Sequence, residues 1–286
     1  RDSPGIVRAI HQENKGHGGA VNTGIAAASG MHVKVVDADD WVGPESLEQV
    51  MAVLRGEVDK DEPLDMLVTN YVYDKVGKRN KHVVNFRHAM EPGKRLTWDD
   101  LGHFGLTEYI LMHALIYRTA VVRESKMQLP EHTFYVDFIY AYQPFPWVKS
   151  LQYVDTPFYH YFIGRDGQSV QTDVMIRRVD QLRLVNQCMV HATPERGTVP
   201  DGLYRYMIHF LAIESSVASV FMILSRDHAN YEKKKAMWAD IEAYSPTIYK
   251  DVRKKAMSRA LNLRGSAGRF VIRKGYFLAE HVVGFN

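Results

Sequence analysis

The sequence predicts an α/β fold, a mixed sheet flanked by helices, followed by a mostly helical C-terminal region. Three observations predict it. Short β-branched runs alternate with helix-compatible stretches through residues 6–73. One of those runs ends in clustered carboxylates, Val35-Val36-Asp37-Ala38-Asp39-Asp40-Trp41. After Asp173 apolar residues recur at helical spacing, as in Leu203, Tyr206, Met207, Phe210 and Leu211.

Residues 6–10 read as a short β segment entering a polar, Gly-rich loop. Residues 20–28 are small and helix-compatible, with Gly30 placed to stop the helix. Residues 32–36 read as a strand, because Val33, Val35 and Val36 are β-branched. Pro44-Glu45-Ser46 opens a helix whose apolar face is Leu47, Val50, Met51 and Leu54. Residues 65–73 form the next strand. Residues 74–106 are irregular and polar, the texture of a substrate-binding segment. Residues 109–119 are mostly apolar, 135–142 suggest a short helix stopped before Pro144, and 154–163 suggest a strand. At least three long helices are expected between residues 174 and 262. The division follows: a catalytic domain over residues 1–172 and a helical region over 173–286.

Composition narrows the function. The chain has 286 residues, 46% apolar and 24% charged, an ordinary globular balance. Its one cysteine, Cys188, forms no internal bridge and reads as a packed thiol. No apolar run is expected to reach the ~20 residues of a membrane span. Net charge is +3, but residues 245–286 carry nine Lys/Arg and two Asp/Glu, so +7, leaving −4 elsewhere. A basic tail on an acidic body suggests contact with an anionic surface, lipid head groups being one candidate, against the alternative of a solvated helix face. No nucleic-acid-binding motif is present. Nor is there a His-Glu-x-x-His zinc signature or a Gly-x-Ser-x-Gly elbow.

The acidic strand end carries the chemistry. Asp37, Asp39 and Asp40 repel one another at the place where open α/β sheets bind ligands. A hard divalent cation, Mg²⁺ or Mn²⁺, bridging a diphosphate would offset that repulsion; an Asp-rich turn capping the following helix is the plain alternative. Upstream, Gly16, Gly18 and Gly19 let backbone approach a ligand just before a helix N-terminus.

The ordered set Gln12-x-Asn14-x-Gly16, Ala20-x-Asn22-x-Gly24, Ala28-x-Gly30 and Asp37-x-Asp39-Asp40-Trp41 resembles family 2 glycosyltransferases of the GT-A fold. The resemblance implies a nucleotide-sugar donor, a UDP-sugar first, in a site lined by Gln12, Asn14, Gly16, Gly19, Asn22 and Asp37. It implies metal ligation by Asp37, Asp39 and Asp40, with Asp39 the direct ligand. A looser match at Val136-Asp137, where the family often has Glu-Asp, implies that Asp137 is the general base of an inverting transfer. Tyr159-His160-Tyr161 and the residues after it resemble the family's Y-x-Y-R…S segment. They suggest Arg165 as the cation steadying the leaving diphosphate, with Gln168 and Ser169 in the same loop and His160 a weaker metal ligand. Trp41, Trp98 and Trp147 are candidates to stack on sugar.

The resemblance covers residues 6 to about 170 and enters at roughly the third strand of the family's fold. The P-V-Y-N strand and D-D-G-S turn that bind base and ribose are not in this chain, so a fragment of weak or no activity is expected. The implied function is sugar transfer to a glycan or lipid-linked acceptor in cell-envelope polysaccharide synthesis. The implied location is the cytoplasm, peripheral to the inner face of the plasma membrane. Two rivals are a nucleotidyltransferase and a non-catalytic carbohydrate-binding or scaffold domain.

Overall fold

The computed structural model describes residues 5–75, 81–163, 171–263 and 265–283. Seven strands make one mixed sheet: β1 (His32–Val33), β2 (Trp41–Val42), β3 (Met66–Lys75), β4 (His82–Val84), β5 (Arg95–Leu96), β6 (Leu115–Arg118) and β7 (Leu151–Ile163). Their order is β1-β6-β3-β7-β2, with β4 beside β3 and β5 beside β7. The central pair β3 and β7 is parallel and the other pairings are antiparallel. Residues 66–72 of β3 are all buried, so this strand is covered on both faces and needs its continuous apolar run.

Four helices accompany the sheet: α1 (Gly16–Ala27), α2 (Pro44–Arg55), α3 (Thr119–Glu124) and α4 (Asp137–Tyr142). Helix α2 starts as its sequence dictates, with Pro44 at the first turn where a missing N–H costs nothing. Seven more follow β7: α5 (Thr172–Arg177), α6 (Val179–Ala192), α7 (Asp201–Leu224), α8 (His228–Tyr244), α9 (Pro246–Lys254), α10 (Ala256–Leu261) and α11 (Gly265–Val283). This is the mixed sheet with flanking helices and helical C-terminal region that the GT-A resemblance calls for.

Helix α7 is the hub. It is apolar on nearly every side and packs against α5, α6 and α8–α11. Its 24 residues, of mean hydropathy 1.9 in the richest window, make it long and apolar enough to cross a membrane, contrary to the expectation that no run reaches that length. Yet 83% of that window is buried within the protein, which is where a helix hydrophobic all round finds its partners. The core is continuous from sheet to helices. Trp98 meets Phe145 at 4.9 Å and Tyr206 at 5.4 Å, and its indole N–H donates to the Val148 carbonyl.

Three local expectations change. Residues 6–10 join no strand among the described residues, and Ile6 and Val7 are exposed. Helix α1 starts at Gly16, inside the Gly-rich stretch, and ends at Ala27. The 32–36 run is a two-residue strand, because the chain leaves the β6 ladder after Val33.

Candidate active site

Strand β7 holds the acidic turn. After Val33 the chain turns through residues 37–40, closed by an Asp40 N–H to Asp37 carbonyl bond of 3.1 Å. It then pairs with β7, Trp41 opposite His160 and Val42 opposite Tyr159. The Tyr159 hydroxyl accepts from the Asp37 N–H at 3.2 Å and donates to Asp40 Oδ2 at 2.6 Å. The Phe162 N–H donates to the other Asp40 oxygen at 2.8 Å. The alternation of β7 therefore orients one carboxylate with a side chain and a backbone donor.

A histidine completes the cluster. Ligand atoms of Asp37, Asp40 and His113 all lie within 4.8 Å of one another. His113 sits in the 3₁₀ turn Met112–Ala114, only 4% exposed. Its ring stacks on Tyr161 at 4.4 Å and meets Tyr159 edge-on at 4.9 Å. Burial, aided by the nearby Lys34 charge, pushes its pKa down to about 3, so the imidazole is neutral and keeps a lone pair. Its Nδ1 has no hydrogen-bond partner. A buried, unsatisfied, neutral imidazole beside two carboxylates is a donor set that fits a divalent ion.

Two basic side chains offset the carboxylates. His17 Nε2 is 3.0 Å from Asp37 Oδ1, and that hydrogen bond raises the His17 pKa. For Asp37, burial pushes the carboxyl up, but the His17 bond and charge outweigh it and leave the pKa lowered. Asp40 goes the other way, raised first by burial and further by Asp37 and Asp39. Lys34, a lone cation in an apolar run, donates to the carbonyls of Met112 and His113 at 2.9 and 2.8 Å. Its ammonium lies 4.6 Å from the Tyr159 ring centre, and burial lowers its pKa to about 7.

The Gly-rich stretch joins the two halves of the site. Gly16 has φ +69°, the left-handed region that favours glycine, and a Cβ there would sit 3.0 Å from His132 backbone. A Cβ on Gly18 would come within 2.4 Å of the Pro130 carbonyl oxygen. Asn22 clamps Leu129, donating to its carbonyl at 2.9 Å and accepting its N–H at 3.0 Å. These residues seat α1 against segment 129–132. The same segment leads into α4, whose first residue is Asp137. Asp137 therefore feels both His17 and Asp37. Burial, the largest influence, raises its carboxyl pKa to about 6.

The other expected site residues are placed as follows. Gln12 accepts from the Thr23 hydroxyl at 2.5 Å, tying the preceding segment to the body of α1, and Asn14 Oδ1 accepts from the Gly16 N–H at 2.9 Å, bracing its start. A Cβ on Gly19 would press on the Lys15 side chain at 2.3 Å. Asp39 is exposed and stands outside the group of three. His160 reaches Asp74, at 3.3 Å, and stacks on Trp41 at 5.2 Å, so it faces away from the Asp37–Asp40–His113 group. Trp98 is buried in the core and cannot stack on a ligand; Trp41 and Trp147 are exposed. Cys188 is half-buried, and burial pushes its thiol up. Arg165, Gln168 and Ser169 lie outside the described residues.

Sequence reasoning missed His17, Lys34 and His113 as site residues, and with them Tyr73 and Tyr161, which stand close enough to Asp137 to feel its charge. A signal existed for two of them. Lys34 interrupts a valine run, and His113 interrupts the apolar stretch 109–119.

Residues 1–119 match the model of the family described as Glycosyl transferase family 2. A Bacillus subtilis (strain 168) protein named as a glycosyltransferase, EpsH, is 27% identical over 167 residues, covering 54% of this chain and 44% of its own length. A Nostoc sp. (strain PCC 7120) protein, "Uncharacterized glycosyltransferase alr2836", is 42% identical over 53 residues, 18% of this chain and 16% of its own. The chain thus spans less than half the length of these curated relatives. The acidic turn and the loop before it both lie inside residues 1–119, the part of this chain that is similar to glycosyltransferase family 2.

Proposed function

We propose that the protein moves a sugar from a nucleoside-diphosphate sugar, a UDP-sugar first, to an acceptor hydroxyl with inversion. The observation that carries this reading is the meeting of Asp37, Asp40 and His113 in one group with Asp137 nearby on α4. Asp37, Asp40 and His113 would hold Mg²⁺ or Mn²⁺, with Asp39 at the rim. When bound, the ion would supply charge to the donor diphosphate.

The chain's own residues do the rest. Asp137 accepts the proton of the acceptor hydroxyl. A pKa of about 6 keeps it ionised at neutral pH yet makes it a stronger acceptor than an exposed aspartate. Tyr73 and Tyr161, near enough to feel that carboxylate, would orient the acceptor ring, while the α1 glycines keep the Asp137 segment against the metal side. Arg165 is the candidate to steady the departing diphosphate. Residues 1–172 form the catalytic unit in this reading. The acceptor is a glycan or lipid-linked sugar, met at the inner face of the plasma membrane by the basic C-terminal region, in exopolysaccharide or other envelope polymer synthesis.

The test uses the full-length protein, a panel of UDP- and GDP-sugars and divalent ions. Expected is release of nucleoside diphosphate that requires Mn²⁺ or Mg²⁺ and stops in Asp37→Asn. Release of inorganic diphosphate would instead support nucleotidyl transfer. Tight binding of glycans with no turnover of any donor would support the non-catalytic alternative.

A further inference from the structure

Helix α11 has a built inner face and a very different outer one. Gly268 and Ile272 are buried, and Tyr276 packs edge-on to Phe221 of α7 at 5.8 Å. On the other side, Ala267, Phe270, Val271 and Lys274 recur at helical spacing and are all exposed. Phe270 and Val271 stand 54% and 57% exposed, unusual for large apolar side chains that lie side by side. Basic residues frame this stripe. Arg269 and Arg273 reach back to the Tyr231 ring and hydroxyl, and Lys274 leans over Phe270 at 5.8 Å. Helix α10, which packs on α11, borders an open groove of about 650 Å³ lined by Tyr249, Lys250, Arg253, Lys254 and Arg259, with Glu242 its one acid.

We infer that the outer stripe of α11, with the adjoining basic groove, is a docking surface for an anionic lipid bilayer. The stripe would enter the boundary between head groups and acyl chains, and the cations would meet lipid phosphates. Charge argues against a second copy as the occupant. A two-fold contact would set one +7 region against another, because the same patch faces itself across such an axis. A bilayer of opposite charge satisfies both the apolar and the cationic halves of the surface. The inference gives the membrane contact of the proposed function its residues, but it concerns binding alone and is measured without the reaction.

The test is co-sedimentation of the full chain with phosphatidylcholine vesicles, with and without phosphatidylglycerol. Binding is expected only to the anionic vesicles and should weaken as salt is raised. Phe270→Ser with Val271→Ser should lower it about tenfold or more, and Lys250→Glu with Lys274→Glu similarly. All four positions are exposed, so thermal unfolding should be unchanged, and transfer to a soluble acceptor should survive in each variant. Failure to bind anionic vesicles, or undiminished binding by both variants, overturns the inference and leaves the transferase reading standing. A dimer in light scattering that becomes monomeric in Phe270→Ser/Val271→Ser, with no vesicle binding, also overturns it and assigns the face to a second copy. Loss of all donor turnover in a protein that binds vesicles normally sinks the transferase reading instead.

Discussion

Replacing Asp137 by Asn should stabilise the protein at pH 8 while abolishing transfer. Burial raises this carboxyl from the usual 3.8 to about 6. The folded state therefore holds the proton more tightly than the unfolded chain. Between pH 4 and 6 the folded protein binds more protons, so stability falls as pH rises and levels off above the folded pKa. A rise of roughly two pKa units corresponds to ~3 kcal/mol at ~1.4 kcal/mol per unit. The side chain keeps some solvent contact, and Asn loses bonds from the first N–H groups of α4. A net gain of ~1–2 kcal/mol at pH 8 is the discounted expectation. Urea unfolding of the two proteins at pH 4, 6 and 8 measures it. The variant should match or trail the wild type at pH 4 and lead it at pH 8, with turnover down at least ~100-fold. If the difference in stability does not change with pH, Asp137 is not the strained carboxylate described, and its fitness as a base has no physical support.

The remaining predictions probe the rest of the site. His113→Phe keeps a ring against Tyr159 and Tyr161 but removes both nitrogens; it should weaken Mn²⁺ binding at least tenfold by electron paramagnetic resonance, and unchanged affinity would remove His113 from the ligand set. His17→Gln should flatten the acid side of the Mn²⁺ affinity profile. In the wild type the raised His17 pKa keeps a proton beside Asp37 that a cation must displace, so affinity should climb with pH through that titration, and an equally steep profile in the variant would count against the pairing. Gly18→Ala forces a Cβ to 2.4 Å from the Pro130 carbonyl and should cost ~1–3 kcal/mol in urea unfolding; a neutral result would show that segment 129–132 is not seated on α1.

Legibility in the sequence followed the range of the interactions. The acidic turn was readable because a strand ending in carboxylates is a local pattern, and the start of α2 was readable from Pro44. The glycines were read as making room for a ligand. In the folded chain Gly16 and Gly18 make room for residues 130–132, far along the sequence, and no local spacing discloses that. His113 failed to register for the same reason. It is 76 residues from Asp37, and only the β3–β6 pairing and the turn before it bring it to the acidic loop. Helix α7 misled differently: Glu214 and its serines interrupt the apolar run, yet burial raises the Glu214 carboxyl pKa to about 8, so it is neutral at pH 7, and Asn186 donates to its Oε2 at 2.5 Å, so the helix stays buried despite them.

The pattern of charge explains how such a site can fold before any ligand arrives. Asp37, Asp40 and Asp137 converge, and three half-buried carboxylates without compensation would be costly. Each is answered by a different device. His17 pairs directly with Asp37; Tyr159 and the Phe162 N–H satisfy Asp40; Asp137 has the N-terminal amides of α4 and a raised pKa. Lys34, its pKa lowered by burial to about 7, adds a partial positive charge at neutral pH whose nitrogen bonds to carbonyls, so it tempers the field without occupying the carboxylates. Only the His17 bond to Asp37 lies on an exposed side chain, and it is also the one that a cation entering the Asp37–Asp40–His113 group must break. A site held by one removable proton and several permanent hydrogen bonds is preorganised for a divalent ion: under the proposed function, the ion would replace the His17 contact to Asp37 while the hydrogen bonds of Asp40 stay as they are.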